Sequence, residues 1–195
     1  MVSVDREQPR NYGDAKGRYF SVSTVCTTMT GKEPYGSELD KQRGTDLHAI
    51  FALAVASSAG RCEPPTVPTE YAGYYQSMLG WIDAAKPEPV YIERPSVSTI
   101  RHLPFAGTPD LLAYLHLQGK RTLTLIDLKS GASARWHVAQ LLGYSKLTLY
   151  KIAKAFGLLY IHADGSPAKY QPCKLKPRDW AAFQAAVHLL TWRES

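Results

Sequence analysis

The stretch Leu123-Thr124-Leu125-Ile126-Asp127-Leu128-Lys129-Ser130-Gly131 decides how this chain reads. Its apolar run and closing Ser-Gly predict a short strand that ends in a turn. Side chains alternate along a strand, so Asp127 and Lys129 share a face with Leu123 and Leu125. An acid and a base at the mouth of a buried strand are unfavourable to desolvate without a use. A structural ion pair is the plain explanation. The neighbouring motifs favour metal-assisted phosphodiester chemistry: Ala106-Gly107-Thr108-Pro109-Asp110-Leu111-Leu112 lies upstream and Gln140-x-x-x-Tyr144 downstream.

Immediately before the stretch, residues 110–117 predict another strand, with Asp110 on the face of Leu112 and Tyr114. Gln118-Gly119-Lys120 is a turn, and 121–129 is the returning strand. An antiparallel hairpin of this length returns to its starting level, so Asp110 and Asp127 can meet. Two carboxylates with no proton to share call for a cation. Hard oxygen ligands suit Mg²⁺ or Mn²⁺. Lys129 beside them can contact a scissile phosphate or orient the attacking water.

After the stretch, Ser133 is a good N-cap for a long helix over 134–156, closed by Gly157. Gln140 and Tyr144 share one of its faces, and His137 lies one turn before Gln140 on nearly the same side. A strand at 158–162, a turn at 163–166, a strand at 168–175 and a helix from 178 to about 191 follow. Towards the N-terminus, 90–93 predicts a strand with Val90 and Ile92 on one face and Tyr91 and Glu93 on the other. Residues 98–105 predict a further strand or hairpin arm. Two helices precede these, at 38–58 and 69–85. The first carries the stripe Leu47, Ile50, Phe51 and Ala54, with His48 beside it and Gly44 one turn earlier. The aromatic second helix, with Tyr71, Tyr74, Tyr75 and Trp81, reads as core. Residues 19–30 fit a strand or a capped helix, and 1–18 a polar arm.

The order is that of a mixed sheet covered by helices, α/β or α+β, in one domain over 19–195. Three widely spaced cysteines, Cys26, Cys62 and Cys173, argue against a disulfide framework and a structural zinc site. They exclude a four-cysteine iron–sulfur cluster from this chain alone. The longest apolar run is too short to span a bilayer, and no signal-peptide pattern opens the chain, so a cytoplasmic protein is expected. The net charge is +6 and uneven: residues 118–178 hold 11 Lys or Arg against two acids, while the remainder is net negative. A basic surface around a carboxylate site suits a polyanion held against a metal.

Together these residues resemble the PD-(D/E)xK nuclease superfamily. Pro109-Asp110, 16 residues, then Asp127-Leu128-Lys129 matches its naming motif. With Gly107-Thr108, Ser130-Gly131, Gln140-x-x-x-Tyr144 and a helix histidine after a glycine, the chain is similar to one branch. That branch holds the nuclease domains of bacterial recombination helicase–nucleases, CRISPR-adaptation exonucleases, the mitochondrial genome-maintenance exonuclease and phage exonucleases. The resemblance covers about 19–159 and implies a restriction-endonuclease-like core. It implies His48, Asp110, Asp127 and the Leu128 carbonyl as metal ligands for one or two Mg²⁺ or Mn²⁺ ions. Asp110, Asp127 and Lys129 become catalytic, with Glu93 orienting them or binding metal through water. Gln140 and Tyr144 would hold DNA or the lysine, with Ser130, Arg135 and Lys146 as further DNA contacts. The expected activity is a metal-dependent DNA exonuclease in phage or bacterial recombination, repair or replication, with a single-strand annealing protein or helicase as partner. If phage-encoded, it would work in the host cytoplasm. The alternatives are a structure-specific endonuclease on the same fold and a non-catalytic DNA-binding module.

Overall fold

The computed structural model describes residues 19–31 and 37–194. The expected arm at 1–18 lies outside them. Phe20–Ser21 forms a two-residue strand, β1, and Ser21 then caps helix α1 (Val22–Thr30) by accepting from Thr24 N–H. Both readings of this segment therefore hold, one after the other. Helix α2 spans Glu38–Ser58, capped by Ser37, and α3 spans Ala72–Ala85 after a 3-10 turn at Thr69–Tyr71. Strands β2 (Glu88–Ile92), β3 (Ser96–Val97), β4 (Phe105–Gly107), β5 (Leu111–Leu117) and β6 (Lys120–Lys129) follow. Helix α4 (Arg135–Ser145), strands β7 (Ala155–Tyr160) and β8 (Lys169–Pro172) and helix α5 (Pro177–Arg193) complete the order.

The main sheet runs β2-β5-β6-β7-β8, with β6 antiparallel to β5 and parallel to β7. A smaller sheet, β1-β4-β3, lies apart from it. Period-two alternation along β5 and β6 divides the core between the two faces. Leu111, Ala113, Leu115, Ile126 and Leu128 pack with Leu47, Phe51, Met78 and Trp81 of α2 and α3. Leu112 and Leu125 pack with Val25, Leu141, Phe183 and Val187 of α1, α4 and α5. The result is a mixed α/β fold with helices flanking a mixed sheet, as the element order predicts.

Three local expectations need correction. The long helix over 134–156 stops at Ser145, and its N-cap is Ala134, not Ser133. The backbone beyond it is taken by residues 96–98: Leu149 N–H donates to Ser96 Oγ, Thr148 N–H to Val97 O, and Leu147 bridges Ser98. Gly157 sits within β7, where a Cβ would lie 2.2 Å from the Tyr170 ring. The strand expected at 98–105 is instead two short strands around a turn. A bulge between Pro89 and Tyr91 breaks the alternation of β2, so Val90 and Tyr91 both face the α4 side while Ile92 faces α2 and α3.

Candidate active site

Pairing in the central hairpin places Leu111 opposite Ile126, and continuing that register sets Asp110 opposite Asp127. Asp110 lies just before β5, so strand alternation with Leu112 does not govern its direction. Its Oδ2 accepts from Leu128 N–H at 2.6 Å, and its Oδ1 lies 2.6 Å from His48 Nδ1 on α2. The tight Gly107 approach helps fix this entry, since a Cβ there would stand 2.6 Å from Tyr144 Cε1.

Glu93 follows β2 with φ 43, a conformation unusual for a residue with a side chain. Its N–H donates to Asp110 O at 2.9 Å. This left-handed position takes Glu93 off the strand's alternation. His48, Glu93 and Asp110 then offer ligand atoms that all lie within 4.8 Å of one another. One imidazole nitrogen and two carboxylates form a donor set fit for a divalent cation. Glu93 thus stands among the potential direct ligands, whereas Asp127 stands outside this set.

The carboxylate of Asp127 is turned to Lys129, with Oδ2 2.6 Å from Nζ. Lys129 also donates to Gln140 Oε1 at 2.8 Å, and Gln140 Nε2 donates to the Tyr144 hydroxyl at 3.0 Å. The shared face of Gln140 and Tyr144 therefore becomes a bracket for the lysine. Asp127, Lys129 and Gln140 are all at least nine-tenths buried. The Lys129 carbonyl accepts from Ile161 N–H on the β7 side. Leu128, one residue earlier, presents its backbone N–H and C=O to the opposite edge, the side of Asp110.

Electrostatics separate the two acids. Burial raises Asp127 to about 6, with the Asp110 charge adding to the rise and Lys129 opposing it. Burial also works against charge on Asp110, but the His48 charge and hydrogen bond, Lys129 and the Leu128 N–H outweigh it, and its pKa falls. His48 loses by burial and gains more from Asp110, so its pKa rises. Charge on His48 and charge on Asp110 therefore favour one another.

The remaining expected residues are dispersed. Arg135 is exposed and approaches Asp179 at 3.7 Å. Lys146 caps the far end of α4 and lies over the Trp180 ring. Ser130 lines a cleft of about 430 Å³ with Tyr74, Tyr160 and Lys169. The sequence reading did not identify Trp136 or Tyr160. Lys129 Nζ lies 5.5 Å from the Trp136 ring centroid. The Tyr160 hydroxyl is 3.2 Å from both His137 Nδ1 and Ser133 Oγ. Ala134 N–H points to the same Nδ1 at 3.4 Å. An aromatic residue one turn before the Gln140 bracket was the available signal for Trp136.

No protein-family model matches the chain, and no curated protein matches it. Among solved structures it is similar to LHK-Exo in complex with dAMP, with a TM-score of 0.51 and 11% identity. It is also similar to an alkaline exonuclease (LHK-Exo) from Laribacter hongkongensis, with a TM-score of 0.50 and 11% identity. Each likeness covers 90% of this chain and 87% of that one. At this identity the likeness establishes a shared fold. No helix among the described residues is long and apolar enough to cross a membrane.

Proposed function

We propose that this chain is a divalent-metal-dependent deoxyribonuclease of the PD-(D/E)xK kind, acting as an exonuclease. The observation that carries the reading is the meeting of His48, Glu93 and Asp110 next to a buried Asp127–Lys129 pair. The fold shared with an alkaline exonuclease supports it. The excess of basic residues over 118–178 supports a polyanionic substrate.

His48, Glu93 and Asp110 would hold Mg²⁺ or Mn²⁺, with Asp127 and the Leu128 carbonyl at the same strand end. Such an ion, when bound, lowers the pKa of a ligated water and neutralises charge developing on a phosphate. Lys129 presents its ammonium to a phosphate oxygen, where negative charge grows as the water oxygen bonds to phosphorus and the leaving P–O bond breaks. Gln140 and Asp127 hold Nζ in place, and Tyr144 holds Gln140. A lysine so fixed loses little freedom in the transition state. Ser130 and Arg135 would contact the strand near this end, and Lys146 would contact it farther along α4. A role in recombination, repair or replication, beside an annealing protein or a helicase, follows from the motif resemblance.

The test is digestion of end-labelled linear duplex, linear single strand and closed circular DNA with Mg²⁺, Mn²⁺ or EDTA, beside Lys129→Ala. Metal-dependent loss of linear DNA with circles spared is the expected result, absent in Lys129→Ala. Cut circles would replace the exonuclease reading with an endonuclease one. Salt-sensitive binding without any cleavage would replace it with a DNA-binding module.

A further inference from the structure

Trp136 occupies the first turn of α4 and is only partly buried. The ring of His137 meets it edge-on, with centroids 4.3 Å apart and planes at 76°. Lys129 Nζ lies over it at 5.5 Å from the centroid, and its inner part packs on the core below α4. The indole is therefore fixed in direction while part of it meets solvent. The position of Lys129 is already set by Asp127 and Gln140. A large aromatic surface is not needed to hold the ammonium.

A phosphate that reaches Lys129 carries its own sugar and base with it. The base is one sugar away from that phosphate, and the Lys129 ammonium that would meet the phosphate lies 5.5 Å from the indole centroid. Fixed aromatic surfaces beside cations take nucleobases by stacking, with little regard to sequence, because every base has a π-face. Resting on the nuclease reading above, we infer that Trp136 stacks on the base of the nucleotide whose phosphate meets Lys129. Inside a duplex both faces of a base are covered by its neighbours. The stack therefore requires an unpaired or terminal nucleotide. Trp136 thus selects strand ends and single strands over duplex interior, and it does so without reading the base identity.

The experiment measures binding in EDTA of two fluorescent single-stranded oligothymidines, one intact and one abasic throughout, to the wild type, Trp136→Leu and Trp136→Phe. Thermal unfolding confirms that each variant is folded. Trp136→Leu should weaken binding of the intact strand by roughly 5- to 150-fold. It should leave the abasic strand unaffected. Trp136→Phe should keep most of the affinity, since phenyl also stacks, and should lose the strand-induced quenching of tryptophan emission. Equal weakening on both strands, unchanged affinity in Trp136→Leu, or undiminished quenching in Trp136→Phe would overturn the inference, and wild-type digestion of DNA with Mn²⁺ would leave the nuclease reading standing. A wild type that neither binds nor digests DNA would overturn both.

Discussion

His48 Nδ1 lies 2.6 Å from Asp110 Oδ1, joining helix α2 to the entry of β5 across 62 positions of chain. Leu128 N–H holds the other oxygen of the same carboxylate. Asp110 is thereby oriented by two elements, one on a flanking layer and one within the sheet. If His48 is a ligand, His48→Ala should reduce Mn²⁺ affinity at least roughly tenfold, the scale seen when groups around a metal site are removed. Titration calorimetry of the folded variant measures this. Affinity equal to wild type would make His48 a structural partner of Asp110.

Asp127 is buried beside a second carboxylate, and burial and that neighbour raise it to about 6 in spite of Lys129. Its charge therefore disfavours the fold. Asp127→Asn should raise stability in EDTA at mildly alkaline pH by about 1–3 kcal/mol, the scale of that shift. The same change should remove DNA cleavage. Chemical denaturation and digestion assays on one preparation test the pair of outcomes. A destabilised Asn variant would mean that the ion pair with Lys129 outweighs the penalty.

Much of this site was legible because it rests on local rules. The alternation along 121–129 and the turn at Gly119 place Asp127 and Lys129 on one face and Asp110 opposite, and the structure has that register. The four-residue spacing of Gln140 and Tyr144 puts them on one helix face, where they hydrogen-bond; that Gln140 also reaches Lys129 was implied only by the motif resemblance. What failed depended on distant partners. Nothing near Leu147 announces that residues 96–98 will take its backbone, so helical spacing alone carries the helix past Ser145. The bulge in β2 and the left-handed Glu93 are also tertiary outcomes, and they moved Glu93 into the cluster with His48 and Asp110. Trp136 lies one turn before Gln140, but what it faces is set by Lys129 on a separate strand.

Gly107 has no room for a side chain: an added Cβ would lie 2.6 Å from Cε1 and 3.0 Å from Cδ1 of Tyr144. Tyr144 is buried and receives the Gln140 amide that holds Lys129. Gly107→Ala should therefore cost about 1–3 kcal/mol in stability by overpacking. It should also displace the bracket, and small displacements of catalytic groups reduce rates by up to about 100-fold. The expected signature is a fall in kcat at temperatures where the variant is fully folded, with metal affinity retained. Undiminished kcat would show that Tyr144 yields without moving Lys129.

His137 gives the fold an acid-sensitive point away from the cation cluster. Burial, with the nearby Lys129 charge, lowers it from 6.5 to about 3. The groups facing it are Lys129 on β6, Tyr160 on β7 and Ser133 through that hydroxyl. A histidine with a depressed pKa stays neutral in the fold while the unfolded chain takes up a proton below about 6.5. Stability contributed by the neutral ring is therefore present above 6.5 and falls as pH drops towards 3, by at most about 1.4 kcal/mol per pH unit. His137→Asn keeps an acceptor for Ala134 N–H and removes the titration. Its unfolding midpoint should fall less steeply than that of the wild type between pH 6.5 and 4 (roughly the window of the shift). Parallel pH curves for the two proteins would show that His137 is protonated in the fold or screened by solvent.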